Sequence, residues 1–395
     1  MSAARGQRVL VLNAGSSSLK FALFEGLERV LHGQVEGIGA QPQFVCGEIR
    51  EKLPAGTRHN AALERILALM RERGTGTGNL AACGHRVVHA GTAFLAPTLI
   101  DAQRLAAINA LRALAPLHNG FGLDAIEAMR TAAPELPQVV CFDTTFHATI
   151  PEVAARFAIP TSLHAAGYRR FGFHGLNYEH VTATLAERYG PSATARLLIF
   201  HLGNGSSICA VRNGRSVATT MGYSTLDGLD MGTRCGAIDP GVLIALQRRD
   251  GFTLDSLENL LYRQSGLLAL SGRSSDMREI EGLDEESCRF ALEHFCYWAA
   301  RHAGSLAVAL GGVDSVAFTG GIGCGSARVR AGIGAHLGWL GVELAPERNA
   351  HHDAAIAAAG SRCAVWVVAA DEERAILRHV HALLAGSGQA SRPRL

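Results

Sequence analysis

One pattern occurs twice in this chain. Residues 8–26 read RVLVLNAGSSSLKFALFEG, and residues 196–214 read RLLIFHLGNGSSICAVRNG. Each is an apolar strand, a Gly/Ser turn and a second apolar strand, the signature of a β-hairpin. Two readings are open. The echo is a coincidence between two hairpins, or it marks a duplication that yields two related α/β domains, each offering its turn to a shared cleft. The second reading has chemical content, because such turns present backbone N–H groups and hydroxyls, which suit a polyphosphate.

The rest of the chain supports an α/β class. Strands are expected over 139–142, 315–319 and 364–369, alongside 8–13, 19–25 and 197–201. Helices are expected over 102–115, 123–132, 179–189 and 372–384. A long helical stretch at 285–310 carries Ser, His and Gly interruptions, and the polar tail 386–395 should fray. With 395 residues, two or three compact domains are expected.

Charge excludes some functions. The formal net charge is +2 and no basic block occurs, so a nucleic-acid coat is not indicated. No apolar run reaches the length of about 18 residues that a membrane span needs. The N-terminal stretch lacks signal-peptide order. Nine cysteines without a CxxC argue against a disulfide framework or structural zinc and for a reducing cytoplasm.

Neither hairpin turn matches GxxxxGK[ST], and no GxGxxG joins a strand to a helix. A bound nucleotide would therefore be held another way. The first hairpin supplies Asn13, Ser16, Ser18 and Lys20. Only two of the 37 basic residues are lysines, Lys20 and Lys52, so an ammonium in this turn stands out as a point charge for phosphate. The second hairpin supplies His201, Gly203, Asn204, Gly205 and Ser206, which could equally be a tight turn needing positive φ. A third glycine-rich turn, 320–325, follows a strand and precedes a helical 327–337, a favourable place for an anion. Elsewhere GHRVVHAG carries Arg86 and His89, FDTTFH carries Asp143 and His147, YRRFGFHG carries His174, and MGTRCGAIDPG carries Arg234. Alone, each has a bland reading as a turn residue, core histidine or solvated arginine. Together they place two arginines, a histidine and an aspartate in loops.

These segments, in this order, resemble the acetate kinase family of short-chain acyl kinases. The likeness spans nearly the whole chain and rests on LNAGSSSLKF, HRVVH, APLHN, CFDTTFH, GFHG, HLGNGSS, TTMGYSTLDGL, MGTR, SSDMREI, FTGGIG and the DEE near the end. The resemblance implies an α/β fold of two duplicated actin-like (ribonuclease H-like) domains with a nucleotide cleft between them, in the superfamily of actin, the heat-shock chaperones and sugar kinases. It implies domains at 1–146 with 373–395, and at 147–372. It also implies ATP or ADP as substrate, Mg²⁺ (with Mn²⁺ as an alternative) and a homodimer, while the composition points to a cytoplasmic protein with no nucleic-acid or membrane partner.

The same resemblance distributes roles. Asn13 and Glu372 match metal positions, and Lys20 a phosphate contact. The nucleotide segments correspond to His201, Leu202, Gly203, Asn204 and Gly205, to Asp276, Met277 and Arg278, and to Gly321, Ile322, Gly323, Cys324 and Gly325. Arg86 and Arg234 match the pair that grips carboxylate and phosphoryl, His174 a transition-state stabiliser, and Asp143 an essential carboxylate. The acyl group would meet Val88, Leu117, Phe173 and Thr225. Acetate is ionised near neutral pH and needs no base, so Asp143 is expected to orient rather than abstract a proton.

Several positions depart from the family pattern. Thr225 stands where a proline is usual, Ala90 for a glycine, and Gly120 for a proline. Leu176-Asn177-Tyr178 replaces Thr-Ser-His, Cys235 and Ala237 replace Ser and Asp, and Cys324-Gly325 replaces Glu-Asn. Acyl-chain preference and nucleotide affinity are the properties these changes would touch, and propionate or butyrate kinase is the near alternative. A sugar kinase would need a base and hydrogen bonders for a hydroxyl substrate, which an arginine pair does not supply. An actin-like ATPase without acyl transfer is the distant alternative.

Overall fold

The computed structural model describes residues 6–15, 17–112 and 116–390, leaving aside the side chains of 116–118 and 387–390. Ser16 therefore lies outside the described residues.

The first repeat begins with β1 (Arg8–Ala14) and β2 (Ser18–Glu25), antiparallel, with Leu12 opposite Phe21 and Asn13 opposite Lys20. β1 is buried on both faces over Val9–Ala14, as befits a near-continuous apolar run in a central strand. Three further antiparallel strands extend the meander: β3 (Glu28–Glu36), β4 (Gln43–Cys46) and β5 (Ile49–Lys52). On its other side β1 pairs in parallel with β6 (Leu80–Val87). A short β7 (Thr98–Leu99) and then β8 (Gln138–Phe142) complete the sheet, in the order β5-β4-β3-β2-β1-β6-β8-β7.

The second repeat begins with β9 (Arg196–His201), β10 (Ser207–Arg212) and β11 (Arg215–Thr219), again an antiparallel meander. β9 then pairs in parallel with β12 (Ser315–Thr319), and β12 with β13 (Ala364–Val367). The order β11-β10-β9-β12-β13 has the directions of β3-β2-β1-β6-β8. The sequence echo is thus the first two strands of a repeated five-strand plan.

Each sheet is covered on both faces. Leu10, Leu12 and Phe21 pack with Leu63, Ile66 and Met70 of the His59–Glu72 helix and with Met129 of the Pro116–Ala132 helix. The final helix, Glu372–Ala390, lies on the opposite face. Gly84 permits this approach, because a Cβ there would stand 2.5 Å from Ile376 and 3.0 Å from Val380. In the second sheet, Leu198, Phe200 and Ile208 meet Phe295, Ala299 and Ala303 of the Glu286–Leu310 helix. Leu197, Ile199 and Val211 meet Tyr178, Val181 and Leu185 of the Gly175–Tyr189 helix.

Four local expectations change. The Glu286–Leu310 helix is unbroken: its buried alanines and Phe295 form one stripe, and tertiary packing outweighs the weak propensities of Ser, His and Gly. The 102–115 helix ends at Ala110, with 113–115 outside the described residues. The helix expected from 123 starts at Pro116, a residue suited to a first turn. The final helix continues through 386–390, which were expected to fray, and 391–395 lie outside the described residues. The described residues divide into two compact units, with boundaries at Thr145/Phe146 and Ala370/Asp371.

Candidate active site

In the first unit, the ends of the central strands gather charge. Arg86 is next to last in β6, and Asp143 directly follows β8. Arg86 Nε donates to Asp143 Oδ1 at 2.9 Å and Nη2 to Oδ2 at 2.5 Å, a two-pronged grip. Arg86 Nη1 donates to Asn13 Oδ1 at 3.1 Å. Asn13 Nδ2 in turn donates to Glu372 Oε2 at 2.8 Å and Glu373 Oε1 at 3.2 Å, at the start of the final helix. Burial raises the Asp143 carboxyl from its ordinary value, with the Arg86 guanidinium opposing it. Burial alone would lower Arg86, but Asp143 and Glu372 outweigh it and keep the guanidinium charged. Lys20, across from Asn13, is exposed and makes no hydrogen bond or ion pair among the described residues. It borders a concavity of about 440 Å³ with Arg29, His32, Gln34 and Glu373.

In the second unit, three loops converge. His174 caps the Gly175–Tyr189 helix in a left-handed conformation, φ 58°. Its ring stacks on His201 at 4.1 Å between centroids. Its Nε2 faces the β9–β10 turn, where a Cβ on Gly205 would stand 3.4 Å from it and 3.6 Å from Arg234 Nη1. None of Gly203, Asn204 and Gly205 has positive φ, so the turn does not need its glycines for a left-handed backbone. Gly205 instead leaves open the space between an imidazole and a guanidinium. The Arg234 loop sits against the same turn: Gly232 N–H donates to Asn204 O, and a Cβ on Gly232 would strike Asn204 Oδ1 at 2.1 Å.

Arg234 is half-buried. Its Nη1 donates to the Thr225 carbonyl at 3.3 Å and lies 3.7 Å from Met231 Sδ, and no carboxylate pairs with it among the described residues. Burial pulls the guanidinium below its ordinary value. A partly desolvated cation without a counter-charge is a site for an anion.

The segment expected as a glycine-rich turn is itself helical, Gly320–Gly325. Gly320 has φ +81°, where a Cβ would stand 2.5 Å from the Leu202 carbonyl. That carbonyl accepts from Ile322 N–H and Gly323 N–H. The far end is held by Arg330, fully buried, which donates to the carbonyls of Gly323 and Cys324. The Cys324 side chain is half-buried, with Sγ directed to the Val368 carbonyl.

The remaining expected residues divide. Val88, Phe173 and Thr225 are buried, while the side chain of Leu117 lies outside the described residues. Leu202 and Met277 have core side chains and can offer a ligand only backbone. Asp276 caps the Met277–Gly282 helix and binds Arg278, which lowers its carboxyl, so these two are matched to one another. Gly321, Ile322 and Gly325 lie in the short helix. Reading the sequence missed Glu373, Arg330, and a row behind His174 formed by Ser207 and Tyr178. Glu373 was within the quoted DEE, and Tyr178 was one of the departures. Nothing local singled out Arg330.

The family profile described as acetokinase matches residues 8–378. The chain belongs to the acetokinase family. An acetate kinase of Rhodopseudomonas palustris is 43% identical over 393 residues, covering 96% of this chain and 98% of that protein. A propionate kinase from Francisella tularensis superposes with a TM-score of 0.89 at 35% identity, covering 94% of this chain and 98% of that one. An acetate kinase from Porphyromonas gingivalis gives 0.88 at 33% identity, covering 96% and 100%. The two units with one strand plan are the duplicated actin-like domains of the acetokinase fold.

Two carboxylates of the kind a divalent cation takes lie together in the first unit of this acetokinase. Glu372 and Glu373 supply carboxylate oxygens there, while Asn13 turns its Nδ2 to both of them and its Oδ1 to Arg86. Among the described residues no cluster of three or more His, Cys, Asp or Glu is arranged to cage an ion. A cation held by a few protein oxygens and completed by water and phosphate is the habit of Mg²⁺.

Proposed function

We propose that this protein transfers the γ-phosphoryl group of ATP to acetate, reversibly, giving acetyl phosphate and ADP. A carboxylate oxygen forms a bond to the γ-phosphorus, and the bond from that phosphorus to the bridging oxygen breaks. ADP leaves with the electron pair, and no proton has to be removed from the acceptor. Such a transfer depends on positioning and on neutralising charge at the equatorial oxygens.

The observation that carries this reading is the half-buried Arg234 fork without a carboxylate partner, beside His174 and the open space at Gly205. Arg234 and His174 would meet the transferring phosphoryl group. Arg86 would grip an acceptor or phosphoryl oxygen while Asp143 holds its orientation, and Lys20 would contact the nucleotide phosphates. The segments 201–205, 276–278 and 321–325 would receive the nucleotide, chiefly through backbone groups. Val88, Leu117, Phe173 and Thr225 would meet the acyl chain.

Asn13 and Glu372, with Glu373 beside them, would hold Mg²⁺ (or Mn²⁺), which when bound supplies positive charge to the phosphates. The reading extends to a cytoplasmic homodimer. Nine free cysteines suit a reducing compartment. Exposed Phe290, Tyr297 and Val308 on the Glu286–Leu310 helix suit a contact between copies.

The test is trapping. With acetate, Mg-ATP and hydroxylamine, the protein should form acetohydroxamate, whereas ATP hydrolysis without hydroxamate would sink the reading. Comparing kcat/KM for acetate, propionate and butyrate then sets the acyl preference. One methylene is worth only about 1–3 kcal/mol in such a pocket.

A further inference from the structure

A row of three polar side chains stands behind His174. Tyr178 Oη lies 2.5 Å from Ser207 Oγ, and Ser207 Oγ lies 2.8 Å from His174 Nδ1. The direction of the hydrogens follows from counting them. Tyr178 is fully buried, and its phenolic proton needs an acceptor. Ser207 Oγ is the hydrogen-bond partner the structure gives it, so Tyr178 donates and Ser207 accepts. Ser207 is also fully buried, and the acceptor left to its own hydrogen in this row is His174 Nδ1. The opposite polarity would leave a buried hydroxyl hydrogen without a partner, at the desolvation cost of an unmade hydrogen bond.

The imidazole therefore accepts at Nδ1 and carries its hydrogen on Nε2. Nε2 is the nitrogen turned to the open space at Gly205, where the Arg234 fork also arrives. The stacked His201 ring, at 4.1 Å, weighs against both rings being charged at once, since two imidazolium ions face to face would repel. The row also contains a departure of this chain: Tyr178 is the third residue of Leu176-Asn177-Tyr178, which stands where the acetokinase pattern has Thr-Ser-His.

We propose that Tyr178 and Ser207 are positioning residues that lock His174 in its Nε2–H form, so that it meets the transferring phosphoryl group as a neutral hydrogen-bond donor. The phosphoryl group rests on the acyl-kinase reading; the tautomer does not. The row explains how a tyrosine can stand where the family has a histidine. Burial raises the Tyr178 phenol well above its ordinary value, so it remains a donor throughout the working pH range.

The test reads the tautomer directly. Full-length protein carrying ¹⁵N-labelled histidine is examined near neutral pH by long-range ¹H–¹⁵N correlation, with the His174 signals assigned by their loss in His174→Gln. The expected spectrum shows Nδ1 as an unprotonated acceptor and Nε2 as protonated. Tyr178→Phe frees Ser207 to turn, so the two ring nitrogens should average toward each other. In that variant kcat should fall about tenfold with both KM values unchanged. Ser207→Ala should behave likewise, and Ser207→Thr, which keeps the hydroxyl, should restore the wild-type spectrum and kcat. A wild-type spectrum with the hydrogen on Nδ1 overturns the proposal, even if Ser207→Ala does not fold. So does a Tyr178→Phe spectrum unchanged from wild type. Both readouts stand whether or not acetate proves to be the acceptor.

Discussion

Arg86 and Asp143 bind one another through two parallel hydrogen bonds, from Nε and Nη2 to the two carboxylate oxygens. The parallel pairing of β6 with β8 sets Arg86 beside Cys141, which brings the fork level with Asp143 at the strand end. Asp143 is 1% exposed and Arg86 16%, so the pair is largely removed from water. Asp143→Asn keeps the shape but removes the charge that holds the guanidinium. A partly desolvated cation left with weaker compensation should cost about 2 kcal/mol or more of stability. The fork would also turn toward Glu372, 3.7 Å away. The expected result is a fall in kcat of about a hundredfold with a lowered Tm. Near-full turnover would show that Asp143 does not govern Arg86.

Arg330 should matter for nucleotide binding without touching nucleotide. It is fully buried, and it donates to Gly323 O, Cys324 O, Asn349 O and Asn349 Oδ1 at 2.7–2.9 Å. Arg330→Met strands these acceptors, each at about 1–3 kcal/mol if unreplaced. Arg330→Lys keeps a charge but fewer donors. The methionine variant should unfold at distinctly lower temperature, and the lysine variant should fold with a raised KM for ATP and little change in KM for acetate. An unaltered KM for ATP in Arg330→Lys would separate the short helix from nucleotide binding.

Each unit also contains a buried histidine that should make it acid-labile. His85 in β6 bonds Gln138, and His147 bonds Ser216 and the Phe173 carbonyl. Burial lowers both to about 4 from the usual 6.5. Between those values the unfolded chain binds the protons that the folded chain refuses. Stability should therefore be full above pH 7 and should fall as the pH drops from 6.5 to 4, by on the order of 3 kcal/mol for each histidine. Urea unfolding at pH 7.5, 6, 5 and 4.5 tests this. His147→Gln, which can still donate to the Phe173 carbonyl, should flatten the slope for the second unit alone.

What was legible in the sequence followed the length of the apolar runs. β1, β9 and β12 are buried on both faces and read as strands, because nothing interrupts them. β3 alternates exposed and half-buried residues, and β4 and β5 are four residues each, too short and too polar to stand out. The duplication was visible only in its first hairpin, since β6 and β12 share position in the sheet but little sequence. Of the charged groups, those in the motifs were found except Glu373, whose neighbour Glu372 took the role. Arg330 was not found, because its partners are backbone carbonyls and a distant asparagine that only packing brings to it. Gly205 was seen with two readings open, and its backbone, which lacks a positive φ, removes the one that made it a turn residue.

That glycine allows a clean separation of folding from chemistry. Gly205 has no positive φ, so an alanine adopts its backbone without strain. The new methyl would stand 3.4 Å from His174 Nε2 and 3.6 Å from Arg234 Nη1, ordinary contact distances that force no neighbour aside. Gly205→Ala should therefore fold with nearly the wild-type Tm. The methyl nevertheless fills the space in which both donors would meet a phosphoryl oxygen. Losing those contacts, each worth about 1.5–3 kcal/mol when a charge is involved, should lower kcat by at least about a hundredfold. Circular-dichroism melting and the hydroxamate assay on the same preparation give both numbers. Full turnover in a protein that melts like wild type would place the transferring phosphoryl group away from His174 and Arg234.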